Sequence, residues 1–362
     1  MAAGSFRLPT SSSTPSGGWQ RPSDWLPMPA GITSANQTFV GLHAVIENSD
    51  NYVAFRFTTS AGQYQVDWGD GSTPTLHDSN AIAQYQYNFA TVSNSTLTSR
   101  GYKQSIITVT PVSGNLLTCD FNLRFVTSPV QNQIYSTGFL DCILSMPNAS
   151  SGSSILWNAS TQNVRHAYVE RFDIKTIGGC TTMGNMFNNC LSLQSVPLFN
   201  TASVTNMSNM FFSCRSLQSV PLFNTASVTS INSMFQNCSS LQSVPLFNTA
   251  NVNNMSTMFS GCSSINSIPT FVLSAFTLAS GTSTSFANSS NSLNRCQIVF
   301  RRSVGFSNCQ LSRDAIVEIF NNLADRSATT SQTITITGNW GVSALSAGDL
   351  AIATGKNWVV TT

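Results

Sequence analysis

The chain has 362 residues, of which 41% are hydrophobic and only 8% are charged, and its net charge is +2 at neutral pH. This length accommodates two or three domains, and the apolar content excludes general disorder. The near-neutral charge excludes a strong electrostatic footprint for nucleic acid. Because no window approaches about 18 consecutive apolar residues, we also expect no membrane insertion.

The charged residues are distributed in a way that argues against catalysis. The acidic residues leave a long gap between Asp173 and Asp314, and from 174 to 294 only Lys175 and Arg215 are charged. Neither a general acid/base pair nor a carboxylate metal site can be built within that stretch. The chain also contains no phosphate-binding loop and no nucleophile elbow. We therefore expect no enzymatic activity, no catalytic residue, no metal and no cofactor.

Residues 1–30 are predicted to form an arm, since Pro, Gly and Ser dominate this segment and favour no regular element. Four large apolar side chains on the arm are suited to anchoring it to another protein: Trp19, Trp25, Leu26 and Met28. The alternative is that the arm packs against the first domain of its own chain. The arm does not resemble an export signal, because it lacks a basic segment followed by an apolar run.

Residues 31–115 have the pattern of a small β domain. Short runs rich in β-branched and aromatic residues, such as FVGLHAVI and NYVAFRFTT, are separated by turn signals. A GDGS turn follows Trp68, and a closing strand, SIITVT, comes later. This layout resembles the PKD-type immunoglobulin-like sandwich. We interpret Asp67 as a strand residue and Asp70 as a turn residue, not as metal ligands.

Residues 116–176 are interpreted as strand-like opening turns of a solenoid. In the segment 177–285, the run SLQSVPLFNTASVT occurs unchanged at 192–205 and 216–229, and SLQSVPLFNTANVN follows at 240–253. The resulting period of 24 residues falls in the range of leucine-rich repeats.

Each repeat is predicted to contain a short helix and a short strand. The helix is indicated by apolar residues spaced along one helical face: Val204, Met207, Met210, Phe211 and Cys214. The strand is indicated by a second apolar set: Leu217, Val220 and Leu222.

Stacked turns align equivalent residues into ladders. The predicted ladders are Cys190, Cys214, Cys238 and Cys262; Phe199, Phe223, Phe247 and Phe271; and Asn200, Asn224 and Asn248. We expect buried, reduced cysteines, with disulfides between turns as the alternative, and asparagines that hydrogen-bond loop backbone from turn to turn. Serine at a cysteine position is expected to be worse than alanine, because its hydroxyl would lack a partner.

Residues 286–362 are predicted to form a cap. A helix is expected over 311–323 with Ser312 as its N-cap, followed by the alternating strand TITIT. A second helix is expected near 347–354, ending at Gly355, and WVV is expected to form the last strand.

The repeat pattern, MF-xx-C-x-SL-x-SVP-LFNT-xx-VTNMS, resembles the BspA-type leucine-rich repeat. The wider layout, from RPSDWLPMP through VDWGDGS and LSMPNASSGSSI to the repeats, resembles a group of tail-fibre-like bacteriophage proteins. The resemblance implies a virion surface protein, made in the host cytoplasm, that binds other virion proteins through its arm. It implies a homo-oligomer of undefined state that contacts a host-surface glycan or protein through its repeats. The alternative is a capsid-decoration or tail/baseplate structural protein without receptor binding.

The predicted fold class is therefore mixed: an N-terminal β-sandwich (PKD/immunoglobulin-like), followed by a leucine-rich-type αβ solenoid with a C-terminal α/β cap. The predicted segments are 1–30, 31–115, 116–176, 177–285 and 286–362.

Overall fold

The computed structural model describes residues 20–47, 51–121, 124–126, 133–135, 138–150, 155–156, 168–271, 287 and 292–362. The chain divides into two compact units. The first unit comprises Met1–Ser150, Leu156–Gly179 and Cys190–Val196. The second comprises Ser151–Ile155, Cys180–Asn189 and Pro197–Thr362.

The first unit is built from strands. In chain order they are β1 (Thr38–Val45), β2 (Tyr52–Thr59), β3 (Gln63–Asp67), β4 (Thr75–Asp78), β5 (Ile82–Gln86), β6 (Lys103–Pro111), β7 (Leu116–Asp120), β8 (Arg124–Val126), β9 (Gln133–Tyr135), β10 (Phe139–Ser145), β11 (Ile155–Leu156) and β12 (Arg171–Thr176). A short 3-10 turn covers Asn94–Thr96.

These strands form a six-stranded sheet in the order β12-β10-β1-β6-β3-β4 and a four-stranded sheet in the order β11-β7-β2-β5. Strands β8 and β9 pair separately. In the larger sheet all neighbours are antiparallel except β10 and β12. Although β10 and β12 fall within 116–176, the segment predicted to open the solenoid, both strands lie in the same sheet as β1.

Aromatic rings fill the space between the two sheets. Phe39 of β1 lies 6.1 Å from Phe57 of β2 and 4.7 Å from Phe121, measured between ring centroids. All three side chains are fully buried. A side chain at Gly41 would collide with the ring of Phe139 on β10, so glycine is required there for the rings to pack. The aromatic cluster forms the core of this unit.

The second unit contains most of the repeats and ends in a small α/β region. Its regular elements are β13 (Ser267–Ile268), β14 (Arg295–Cys296), β15 (Val304–Gly305), α1 (Arg313–Asn322), β16 (Gln332–Thr335), α2 (Ala347–Thr354) and β17 (Trp358–Thr361). A 3-10 turn covers Val342–Ala344. Strands β15, β16 and β17 form a parallel three-stranded sheet.

The local predictions for the C-terminal helices are confirmed. The Ser312 hydroxyl accepts a hydrogen bond from the amide of Ala315 and caps α1. Helix α2 begins with a capping box between Ser346 and Asp349, and Gly355 is its C-cap.

The predicted fold class, with an αβ leucine-rich solenoid, is wrong. Residues 177–271 contain no helix, and the two α-helices of the described residues are α1 and α2. The protein is mostly β, and its repeats form a β-solenoid. Successive turns are joined by parallel bridges that connect Thr182 to Asn206, Asn206 to Ser230, and Ser230 to Asn254.

Backbone geometry explains why the helix does not form. Asn209 and Ser213 have positive φ angles of 55° and 58°, and a right-handed helix cannot continue through such residues. The chain makes consecutive tight turns instead, since the amides of Phe212 and Cys214 bond to the carbonyls three residues earlier, at 3.1 and 3.0 Å. Consecutive tight turns of the backbone place apolar residues at intervals of three and four, which is also the spacing of residues on one face of a helix.

Main-chain hydrogen bonds between turns hold the solenoid together. The amides of Met207, Asn209, Phe211 and Ser213 donate to carbonyls of the next turn at Ser230, Asn232, Met234 and Gln236, over 2.7–3.0 Å. Alternate residues of one turn thus bond to the next, as in a parallel β ladder.

Candidate functional site

A row of exposed leucines runs along the repeats. Leu198, Leu222 and Leu246 occupy the same position in three successive turns, and their exposed fractions are 64%, 57% and 60%. We call these three residues the leucine row. Exposed apolar groups aligned in this way are typical of interaction surfaces, whereas single exposed apolar residues are common on any protein.

The local backbone turns Leu222 and Leu246 outward. The amide of Phe223 donates to the carbonyl of Pro221 at 2.9 Å, two residues earlier, and the equivalent bond from Phe247 to Pro245 is 3.0 Å long. A hydrogen bond of this span defines a three-residue γ-turn with leucine at its centre. The sequence predicted that Leu222 would belong to the strand with Leu217 and Val220, but those two side chains are buried and Leu222 is not.

Exposed asparagines lie two residues after each leucine. The Oδ1 atom of Asn224 accepts a hydrogen bond from the amide of Ala226 at 3.1 Å, and Asn200 and Asn248 make the same local contact with Ala202 and Ala250. This contact closes an Asx-turn within one repeat. The Oδ1 atoms therefore serve their own turn, which leaves the Nδ2 groups of these exposed side chains for solvent or a ligand.

Threonine makes the contact between turns that was expected from asparagine. The hydroxyl of Thr201 donates to the main-chain carbonyl of Asn224 at 2.9 Å, and that of Thr225 donates to the carbonyl of Asn248 at 2.8 Å. Both threonines are buried. The prediction that the ladder asparagines bond backbone from turn to turn is therefore wrong, although Asn251, which is outside the ladder, donates to the carbonyl of Ala226 in the preceding turn at 2.7 Å.

Two phenylalanine columns support this surface from inside. In the predicted column, Phe199 and Phe223 have ring centroids 5.2 Å apart, and Phe247 and Phe271 are 6.3 Å apart. A second column is more regular, with Phe211 and Phe235 at 5.8 Å and an interplanar angle of 3°. Phe187 and Phe259 extend that second column at its two ends. All these rings are buried, so the outer surface rests on a rigid core.

The ladder cysteines lie in the interior. Cys190, Cys214, Cys238 and Cys262 are fully buried free thiols, as are the other five cysteines of the chain. Burial raises the pKa of Cys238 well above its ordinary value and raises that of Cys262 to about 12. A thiol that remains protonated is a poor nucleophile and a poor metal ligand.

The surroundings of the leucine row are almost free of charge. Between 197 and 271 the only charged residue is Arg215, and its side chain is exposed. The neighbouring exposed positions of each turn carry Ala, Ser, Asn or Thr. Such a surface suits a neutral ligand better than an ionic one.

The end of the predicted arm contacts its own chain. Trp25 is buried, and its indole nitrogen donates to the Tyr102 hydroxyl at 2.7 Å. Leu26 and Met28 pack against the same cluster, and Arg21 pairs with the buried carboxylate of Asp141 at 2.9 Å. Trp25 therefore follows the second of the two sequence predictions, in which the arm packs against the first domain of its own chain. Trp19 lies outside the described residues.

The remaining polar candidates have local roles. Asp70 accepts hydrogen bonds from the amide of Ser72 and from the hydroxyl of Tyr85, at 3.1 and 2.6 Å, and Asp67 accepts one from the amide of Gly69. Across the described part of the chain, no group of three or more His, Cys, Asp or Glu side chains is placed to hold a metal ion. In that same part, no helix has the length and apolar character needed to cross a membrane.

The sequence did not predict the leucine row, because residue type places Leu222 in the strand with the apolar residues Leu217 and Val220. Residue type gives no signal for the row, because the segment after proline is apolar, apolar, polar and polar in sequence, whereas its side chains alternate in the structure. In Leu222, Phe223, Asn224 and Thr225, the side chains point out, in, out and in. That alternation requires Phe223 and Thr225 to share the interior, which forces Leu222 outward.

Comparison with known proteins bears on the repeats. Residues 155–276 match a family model described as a Mycoplasma protein of unknown function, DUF285. No curated protein and no solved structure shows significant similarity to the chain. The match and the stacked turns together confirm a solenoid-like repeat region. They lend no support to the PKD-type assignment or to the resemblance to tail-fibre-like bacteriophage proteins. The repeat region of this chain is thus similar to the DUF285 family.

Proposed function

We propose that this protein is a non-enzymatic bacteriophage virion surface protein, of fibre or spike type, that contacts the host surface through its repeats. The observation that carries the proposal is the leucine row, which presents three aligned apolar side chains to solvent. Keeping such a row exposed favours association, since covering apolar surface releases about 25 cal/mol per Å². The setting on a virion rests on the resemblance of the sequence layout to tail-fibre-like proteins.

The chemistry of the row supports a neutral ligand. Leucine methyl groups pack against the apolar faces of sugar rings or against apolar side chains, and the Nδ2 groups of Asn200, Asn224 and Asn248 donate hydrogen bonds. The single charge of the segment, on Arg215, provides little attraction for a polyanion. A host-surface glycan or an uncharged protein surface offers apolar groups for the leucines and hydrogen-bond acceptors for the asparagines without requiring charge.

Binding to whole host cells tests the role of the row. The triple variant Leu198→Asn, Leu222→Asn and Leu246→Asn is compared with the wild type as labelled protein. Leu76→Asn is the matched control, because Leu76 is also 57% exposed but lies in β4. We expect the triple variant to lose at least about tenfold in affinity and the control to bind normally. Equal binding of all three proteins would remove the leucine row from the proposal.

The nature of the receptor is distinguished by treating the cells before binding. Periodate cleaves the vicinal diols of glycans, and proteinase removes exposed protein. Loss of binding after periodate alone identifies a glycan, whereas loss after proteinase alone identifies a protein. Binding that resists both treatments and does not depend on the leucine row contradicts receptor binding by the repeats.

The position on the particle tests the virion assignment. Immunogold labelling at a tail tip supports host attachment. Labelling spread over the capsid supports the alternative role of a decoration protein, and labelling absent from purified particles contradicts both.

A further inference from the structure

The second unit contains a groove beside helix α1, separate from the leucine row. Its volume is about 410 Å³, and its lining includes Gln297, Val299, Val317, Glu318, Asn321 and Asn322. This volume falls within the roughly 300–1,000 Å³ range of small-molecule clefts. We call it the cap groove.

Helix periodicity places the polar groups of the groove together. On α1, Val317 and Asn321 are four positions apart, as are Glu318 and Asn322, so the members of each pair lie on one side of the helix and the two pairs are adjacent. Gln297 and Val299, which follow β14, also line the groove. Val299 is exposed at 38%, and with Val317 it supplies apolar lining to the groove.

The Glu318 carboxylate of the groove is already paired with a guanidinium. Glu318 accepts hydrogen bonds from the guanidinium of Arg295, the shortest at 2.8 Å, and one from the Gln297 amide at 3.1 Å. The Arg295 guanidinium holds the pKa of Glu318 below its ordinary value, so the carboxylate stays ionised and paired. Asp314, which also lines the groove, pairs with Arg313 at 3.1 Å. Arg313 also pairs with Asp349 at 2.7 Å, so Asp314 is only partly compensated, but its side chain is 89% exposed and its charge is screened by solvent. The charge that Glu318 presents beside Gln297 is compensated by Arg295.

The groups that remain are suited to hydroxyls. The side-chain amide of Gln297 donates a hydrogen bond to Glu318. The side-chain carbonyl oxygen of Gln297 is therefore the group that accepts hydrogen bonds from other partners. Asn321 and Asn322 each carry one amide donor and one carbonyl acceptor, a pair that matches two adjacent hydroxyl groups. Val299 and Val317 offer apolar contacts to the carbon face of a ring.

From this geometry we propose that the cap groove binds a neutral polyhydroxylated ligand of monosaccharide size. The ligand lies against Val299 and Val317, and its hydroxyls bond to the amides of Gln297, Asn321 and Asn322. This site does not depend on the leucine row or on the receptor proposed for it.

Saturation-transfer NMR on the full chain tests the proposal. The probes are glucose, galactose, rhamnose and N-acetylglucosamine, each at millimolar concentration. We expect at least one of them to bind, and the double variant Asn321→Ala and Asn322→Ala to weaken that binding by about tenfold or more. Val299→Trp fills the groove from an exposed position and is expected to abolish binding even if the double variant folds poorly.

Two controls separate this site from others. Asn294→Ala removes an exposed amide that does not line the groove, and the leucine-row triple variant alters the other surface, so both are expected to bind the sugar normally. Thermal unfolding of each variant checks that the fold is intact. The proposal is overturned if none of the four sugars binds the wild type, or if binding survives unchanged in Val299→Trp.

Discussion

The Sγ atom of Cys238 lies 2.9 Å from the main-chain carbonyl oxygen of Phe211 and donates a hydrogen bond to it. The same relationship joins Cys214 to Phe187 and Cys262 to Phe235. Each thiol thus donates a hydrogen bond to the backbone of the preceding turn. The cysteine ladder links successive turns through these hydrogen bonds and not through disulfides.

This geometry reverses the expected order of two substitutions at Cys238. A serine hydroxyl at this position has the carbonyl of Phe211 as acceptor, so Cys238→Ser is expected to cost less than about 1 kcal/mol in unfolding free energy. Cys238→Ala loses both the bond and the packing of the sulfur, and is expected to cost about 1–3 kcal/mol. Urea unfolding measures both. A serine variant less stable than the alanine variant would restore the expectation that the hydroxyl lacks a partner.

The buried thiols also predict a loss of stability at alkaline pH. Burial raises the pKa of Cys262 from its usual 9.0 to about 12 in the folded protein. The protonated Cys262 thiol therefore contributes its full share of the unfolding free energy below pH 9. This share disappears as the pH rises towards 12, since the thiol loses its proton in the unfolded chain before it does so in the folded protein. Unfolding free energy measured from pH 8 upward is expected to fall more steeply in the wild type than in Cys262→Ala. Parallel curves for the two proteins would contradict this linkage.

The hydroxyl of Thr225 is expected to matter more than the neighbouring side-chain amide. Thr225→Val preserves shape but removes the bond to the carbonyl of Asn248, which lies 2.8 Å away in the interior. We expect a loss of about 1–2 kcal/mol in unfolding free energy. The comparison variant Asn224→Ala removes only an exposed local turn contact and is expected to cost less than about 1 kcal/mol. A larger effect from Asn224→Ala would indicate that asparagine links the turns after all.

Trp25 is expected to stabilise the first unit. Its side chain is 4% exposed and packs with Leu42, Tyr102 and Leu140, so Trp25→Ala is expected to lower the unfolding free energy by about 3–5 kcal/mol. Trp340→Ala is the matched control, because Trp340 is 71% exposed and its loss is expected to change stability by less than about 0.5 kcal/mol. If Trp25→Ala leaves stability unchanged but releases the protein from particles, Trp25 is instead a virion anchor.

The sequence predicted the interior of the repeats better than their backbone. The buried positions of Val204, Met207, Met210, Phe211 and Cys214 follow from apolar spacing alone. That spacing cannot distinguish a helix from consecutive tight turns, because both return a side chain to the same side every three or four residues. The deciding feature is the positive φ of Asn209 and Ser213, and neither residue is glycine, the usual signal for that conformation.

The candidate site was harder to predict than the core. The outward position of Leu222 depends on a γ-turn bond from Phe223 to Pro221, which residue type does not reveal. Likewise, the pairing of β10 with β1 depends on contacts about 100 residues apart along the chain, and local patterns carry no information about such partners. Caps such as Ser312 were predictable because their signal lies within four residues.

Because every turn offers the next one the same set of main-chain partners, the repeats can change in number without losing alignment. The identical runs at 192–205 and 216–229 are also suited to unequal recombination between their coding segments, which would add or delete 24 residues at a time. Each such event would lengthen or shorten the leucine row by one member while preserving the hydrogen bonds on either side. Such events would change the area of the exposed surface by one repeat at a time, whereas the fold of each repeat would stay the same.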